Sequence, residues 1–169
     1  MRRLLTTAAC ALALAAAAFA QGGEIYTSDE FDFELELPNQ TWRALPRGDS
    51  SHRHAEFIYG DRSDGLLRVR KELVGESDNL NDLADRDRDN KLRFLSGLVP
   101  GRREDFPGRL SGISVPYEYT QAGKPWAARI YYLRADPRTM YVLHFTGRRD
   151  TLLRLRSQTD AIARSFRVK

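Results

Sequence analysis

The sequence predicts an α+β fold in one domain, and three observations carry that reading. Phe31, Phe33, Leu35 and Leu37 alternate with Asp32, Glu34 and Glu36, the two-residue period of a half-buried strand. After Ser77 the apolar spacing widens to that of a helix. From Leu110 onward, three β-rich runs separated by turn residues lead into a terminal helical pattern.

A leader precedes these elements. Arg2 and Arg3 form a basic head, Leu4 to Ala18 is an Ala/Leu-rich apolar run, and Ala18-Phe19-Ala20 is an A-x-A cleavage site before Gln21. That order is a secretory signal peptide, too short to span a membrane comfortably and followed by no stop-transfer segment. The expected working molecule is therefore a secreted or periplasmic chain, Gln21 to Lys169, cut after Ala20 and folded as one domain. Thr7-Ala8-Ala9-Cys10 looks like a lipoprotein cleavage box, but the apolar run continues past Cys10 to the better site. Arg2-Arg3 is the pair any signal needs, so ordinary Sec export is expected rather than twin-arginine export. Cys10, the single cysteine, leaves with the leader. The mature chain then has no disulfide, no thiolate metal site and no cysteine nucleophile.

Charge is unevenly spread. Without Arg2 and Arg3, 25 basic residues face 23 acidic ones, a net of +2. Residues 21–120 carry 14 basic and 20 acidic groups, residues 121–169 carry 11 and 3. Such asymmetry either marks an anion-binding face or disappears when strands of the two halves interleave. Interleaving is the expected outcome, and the arginine-rich composition gives no reason to expect nucleic-acid binding.

In chain order, Gln21 to Glu30 reads as a polar lead-in, and the alternating strand ends at Pro38-Asn39, with Trp42 in the following turn. A polar loop, Arg47 to Arg53, precedes a short strand, Ala55 to Tyr59, closed by Gly60-Asp61. Leu66 to Val74 is a third strand between Gly65 and Gly75, with Leu67, Val69 and Leu73 on one face. Ser77 or Asp78 can cap a long helix running to about Leu98, with Leu80, Leu83, Ala84, Lys91, Leu95 and Leu98 as its stripe, stopped by Val99-Pro100-Gly101. Leu110 to Thr120 is a strand whose Pro116 indicates an edge or bulge. Gln121-Ala122-Gly123-Lys124 is a hairpin turn, Pro125 to Ala135 the next strand, and Asp136-Pro137-Arg138 the turn into Thr139 to Thr146. Gly147 and Asp150 introduce the last helix, with Leu152, Leu155, Ile162 and Phe166 facing inward.

Several of these marks together resemble one fold family. They are Phe33-Glu34-Leu35-Glu36-Leu37-Pro38 followed by Trp42, the single long mid-chain helix, and Tyr141-Val142-Leu143-His144-Phe145-Thr146 running into a helix that ends Ile162-Ala163-Arg164-Ser165-Phe166. The family is that of the photosystem II extrinsic protein PsbP, with the Ran nucleotide-release factor and bacterial envelope proteins such as DcrB and LpqN. The resemblance implies an α/β/α sandwich around an antiparallel β-sheet, used as a binding or assembly module without a shared active site. The N-terminal extension through which PsbP acts in photosynthesis has no counterpart, so an oxygen-evolving role is not implied.

Candidate chemistry is sparse. His52 and His54 flank Arg53 and could clamp a transition metal with Asp49 or Glu56 as third ligand, or serve a hydrolase together with nearby carboxylates. Two imidazoles on a polar segment do not make a site by themselves. Asp85-x-Asp87-x-Asp89-Asn90 looks like a calcium loop, but the sixth place is Asn90 and the twelfth Ser96, where Gly and Glu are needed. Helical pairs such as Asp82–Arg86 and Asp89–Arg93 explain the pattern better. His144 lies between apolar neighbours and reads as a sheet residue, and no nucleophile elbow is present. Trp126, just after a turn, could seat a partner. Arg148, Arg149, Arg154 and Arg156 crowd the start of the last helix, where the macrodipole is already positive. Either Asp32, Glu34 and Glu36 lie close enough to offset them, or they await an anionic partner.

The expected function is thus that of an exported, non-enzymatic binding or assembly module of the cell envelope, with no cofactor and a protein or envelope component as partner. The alternative is a metal-binding protein or hydrolase built on His52 and His54. Mass spectrometry of the secreted chain should find Gln21 at its N-terminus; an acylated Cys10 there would overturn the leader assignment.

Overall fold

A computed structural model describes residues 23–46 and 54–169. The leader with its cleavage site, and His52, lie outside the described residues. The elements run β1 (Glu24–Thr27), β2 (Phe33–Leu37), β3 (Trp42–Ala44), β4 (His54–Tyr59), β5 (Gly65–Leu73), α1 (Leu80–Asp87), β6 (Val99–Pro100), β7 (Glu104–Phe106), β8 (Gly112–Gln121), β9 (Lys124–Asp136), β10 (Thr139–Arg148), α2 (Arg149–Arg154), α3 (Arg156–Ser165) and β11 (Arg167–Val168). All strand pairs are antiparallel, and the α+β class follows.

The large sheet has the order β3-β4-β5-β10-β9-β8-β6, with β7 also on β8, and a small sheet has the order β1-β2-β11. At the centre, β9 and β10 are apolar on both sides. Tyr131, Leu133, Tyr141, Leu143 and Phe145 join an inner core with β2, Trp42 and the last two helices. Ala128, Ile130, Tyr132, Met140 and Val142 join an outer core under α1. Helices therefore cover both faces, in the sandwich order that the resemblance implies.

Local chemistry explains the boundaries. β8 and β9 are joined through Ala122 and Gly123 at φ 50° and 72°, the left-handed pair that matches the twist of a two-residue hairpin. Pro116 sits in β8 between the stretches paired with β6 and β7, and its carbonyl accepts from the Gly101 N–H on that outer side. Carbonyl and nitrogen of a strand residue point the same way, so the missing N–H falls in the gap between the two short partners. Leu155 separates α2 from α3, and the predicted inward residues Leu152, Leu155, Ile162 and Phe166 are all buried.

Several expectations are corrected. Residues 24–27 of the lead-in form β1, and Trp42 opens β3 rather than a turn, buried with its Nε1 donating to Gln158 at 2.9 Å. Leu73 is exposed at the end of β5. The mid-chain helix is capped by Asn79, whose side chain accepts from the Asn81 and Asp82 N–H groups while Asp82 reaches back to the Asn79 N–H. It ends at Asp87 and passes into one wider turn, Arg88–Leu92, closed by an Arg93 N–H to Arg88 carbonyl bond of 2.9 Å. Leu95 and Leu98 follow in turns rather than in the helix, half-buried against the outer core, whereas Lys91 is exposed and pairs with Asp87; Val99–Pro100 then pairs with β8.

β2 alternates as expected, with Phe33, Leu35 and Leu37 buried. Phe33 stacks on Phe166 at 5.1 Å between ring centroids, and Glu34 pairs with Arg167 across to β11. Phe33→Ala should cost about 3–5 kcal/mol and Glu34→Ala at most about 1 kcal/mol. Equal small effects in denaturant unfolding would mean that β2 does not seat the inner core.

Candidate functional site

The residues that the sequence offers for partner binding gather at one end of the large sheet, where β9 begins and β10 ends. Arg148 and Trp126 are cross-strand neighbours. Trp126 is half-buried, 6.2 Å from the Tyr119 ring, so it offers only part of its surface. Arg149 opens α2 and pairs with Glu118 at 2.8 Å; Arg156 opens α3 and lies 3.7 Å from Glu104. Arg154 turns back to Thr151 Oγ1 at 3.4 Å. The carboxylates that Arg149 and Arg156 meet belong to β8 and β7, and Arg148 acts on Asp61 in the turn between β4 and β5. Asp32, Glu34 and Glu36 do not supply them: Asp32 takes Lys71 and the Tyr141 hydroxyl, and Glu34 takes Arg167. Together with Arg138–Glu76 at 2.6 Å, the pairs of Arg149, Arg156 and Arg167 join the acidic and basic halves of the chain, as interleaving strands should.

Beside these arginines the sheet edge is incompletely covered. A cavity of about 260 Å³ lies between β6, β8 and the two last helices, lined by Val99, Pro116, Leu152, Leu153 and Arg156 among others. Val99 is 61% exposed and Leu153 54%. An apolar centre with a charged rim results, the arrangement of a protein interface.

His54 opens β4 with Nε2 3.3 Å from Glu56 Oε1. Glu56 also receives Arg62 at 2.9 Å and Arg68 at 2.8 Å, so as a metal ligand it would have to release two guanidiniums. Among the described residues no group of three His, Cys, Asp or Glu side chains is placed to hold a metal. The calcium-like run is dispersed too. Asp85 meets Arg88 and Arg103, Asp89 meets Arg88, and Asp87 turns inward. Arg86 pairs with Asp78 rather than with Asp82.

Asp87 is the feature that the sequence conceals. It is only 4% exposed, beneath α1, and its carboxylate takes the Arg70 guanidinium, Lys91 Nζ at 2.7 Å and the Tyr132 hydroxyl at 3.1 Å. Burial alone would raise its pKa; Lys91 and Arg70 outweigh burial and hold it below the usual carboxylate range. Nearby, Tyr117 Oη lies 2.8 Å from His144 Nε2. Burial of the imidazole, reinforced by Arg70 and Arg68 and opposed only by Asp87, pushes His144 down to about 4. Burial raises the Tyr117 and Tyr132 hydroxyls well above their ordinary range.

No family model matches the chain, and no curated protein matches it. Solved structures do. The cyanobacterial PsbP protein (CyanoP) of Synechocystis sp. PCC 6803 superposes with a TM-score of 0.60 at 14% identity, over 94% of this chain and 99% of that one. LpqN of Mycobacterium tuberculosis, involved in cell envelope biogenesis, gives 0.57 at 16% identity, over 89% and 87%. PA94 of Pseudomonas aeruginosa, a protein of unknown function, gives 0.53 at 13% identity, over 85% and 95%. The chain shares the fold of these proteins.

The enclosed imidazole has a measurable consequence. A folded-state pKa of about 4 against 6.5 in the unfolded chain means that the unfolded state binds the extra proton between those values. Stability should be fully present above pH 6.5 and fall by up to about 3 kcal/mol as pH drops to 4. His144→Gln should shrink that slope in thermal melts. A wild-type profile that is flat across this window would show that the imidazole is not enclosed.

Proposed function

We propose that this chain is an exported, non-enzymatic binding or assembly module of the cell envelope that seats an anionic protein partner. The seat is the end of the sheet that carries Arg148, Arg149, Arg154, Arg156 and the exposed part of Trp126. The single observation that carries the proposal is the cavity between β6, β8 and the last two helices, where exposed Val99 and Leu153 stand beside Arg156, Arg129 and the Glu118 that Arg149 pairs with. Apolar area at the centre contributes most of the binding energy, and the charged rim sets orientation and association rate. Arg149–Glu118 and Arg156–Glu104 are solvent-exposed pairs, so exchanging their carboxylates for those of a partner sacrifices little internal stability.

Two further observations support a module without catalysis. The buried titratable groups on the α1 side are committed to one another, with His144 and Asp87 titrating well below neutrality and the tyrosines well above it, far from the values that acid–base catalysis uses. The shared fold also includes a protein of cell envelope biogenesis. The leader supplies the proposed route to a periplasmic or extracellular site, and among the described residues no helix is long and apolar enough to cross a membrane.

Replacing Arg148, Arg149, Arg154 and Arg156 together with Gln tests the proposal. Pull-downs from envelope extract should lose their salt-sensitive component, while stability falls by no more than about 1–2 kcal/mol. Binding that persists unchanged while stability drops by more than this would make the arginines internal neutralisers and overturn the proposal.

A further inference from the structure

α1 and the wide turn after it cover the outer face without closing against β6 and β8. Between them lies a cavity of about 480 Å³, distinct from the one at the β8 edge. Small-molecule sites commonly fall between about 300 and 1,000 Å³. Its walls include Ala84 and Leu92 from the helical side, Leu98 from the segment before β6, and Val115, Tyr117 and Tyr132 from the sheet. Both tyrosine hydroxyls are already engaged, Tyr132 with Asp87 and Tyr117 with His144, so the walls are apolar in effect.

The mouth is charged. Asp85 receives Arg103 Nη2 at 2.6 Å and Arg88 Nη1 at 2.9 Å, so two guanidiniums share one carboxylate at the rim. Arg103 also donates to Asn81 Oδ1 at 2.8 Å, and Arg88 to Asp89 at 2.9 Å, which fixes both heads beside the opening. Asp85 lies on the surface, so displacing it into water carries no burial penalty. The wide turn is itself a departure from helical geometry of the kind that recurs at functional sites, and it supplies Arg88 to the mouth and Leu92 to the wall.

We infer that this cavity binds an organic anion with an apolar body. The body lies against Leu92, Val115 and the tyrosine rings, and the anionic group takes Arg103 and Arg88 in place of the Asp85 carboxylate. Planar guanidinium groups match carboxylate and sulfonate-like oxygens with paired hydrogen bonds, and apolar walls reward a ligand whose remainder is hydrocarbon. Arg103 and then Arg88 hold the Asp85 carboxyl below its usual range, a second sign of the positive field that such an anion would meet.

Three probes test this on the purified exported chain: the anionic dye 1-anilinonaphthalene-8-sulfonate, its neutral relative N-phenyl-1-naphthylamine, and decanoate as competitor. Saturable, single-site dye fluorescence that decanoate displaces is expected. Arg103→Gln should weaken the anionic dye and decanoate about tenfold or more, the value of one charge-assisted hydrogen bond, and change the neutral dye by less than about twofold. Val115→Phe, which fills the cavity, should abolish binding of all three; if circular dichroism shows that it does not fold, Leu98→Trp fills the same space. The proposal is overturned by dye binding that decanoate leaves untouched, by binding that survives cavity filling, or by Arg103→Gln weakening both dyes equally.

Discussion

The rest of the structure depends on β9 and β10 being buried on both faces. Antiparallel sheets commonly leave one face to water, which shows as strict alternation along each strand. Here Tyr131, Tyr132 and Leu133 are consecutive and all buried, and so are Met140 to Leu143 opposite them. A hairpin of that composition needs two covers. The inner one is broad: β2, α2 and α3 bring Phe33, Leu35, Leu152, Ile162 and Phe166 onto it. Polar ends of its aromatics are met within the same layer, as when Tyr131 reaches Thr159 and Asp160.

The outer cover is narrow. α1 has eight residues and contributes Leu83 and Ala84, with half-buried Leu80, from its apolar side, and Leu92 follows from the wide turn. Asp87 occupies the next inward position and ties the helix to Arg70 of β5 and Tyr132 of β9. A buried ion pair adds little net stability over an apolar contact, but losing one partner strands a buried charge at a cost of about 3–5 kcal/mol. The carboxylate thus fixes where the helix sits more than how tightly it is held. Both cavities lie where covering layers end short of the long central strands, one beneath the wide turn and one at the β8 edge.

Much of this is legible in the chain and the remainder is hidden for physical reasons. β2, the Ala122-Gly123 hairpin and the inward face of α2 and α3 announce themselves because alternation, turn chemistry and helical spacing act locally. β1, β3, β6, β7 and β11 have two to four residues each, too few to show a period. The mid-chain helix reads as more than twice its length because leucines recur after Asp87 at nearly helical intervals, and only a hydrogen bond of wider span reveals the break. Arg149 and Arg156 are visible as a charge excess, although the carboxylates they meet, Glu118 and Glu104, are distant in sequence. Asp87 is the hardest to see. Amid alternating Asp and Arg it looks solvated, and its partner Arg70 lies on another element.

Native-state amide hydrogen exchange tests the central claim most directly, namely that Asp87 anchors a separable outer cover on a hairpin held by both layers. In Asp87→Asn, amides of α1 and the wide turn should exchange markedly faster, while those of Tyr131 to Leu133 and Val142 to Phe145 remain the slowest in the chain. Acceleration spread evenly over α1, β9 and β10, or none in α1, would contradict it.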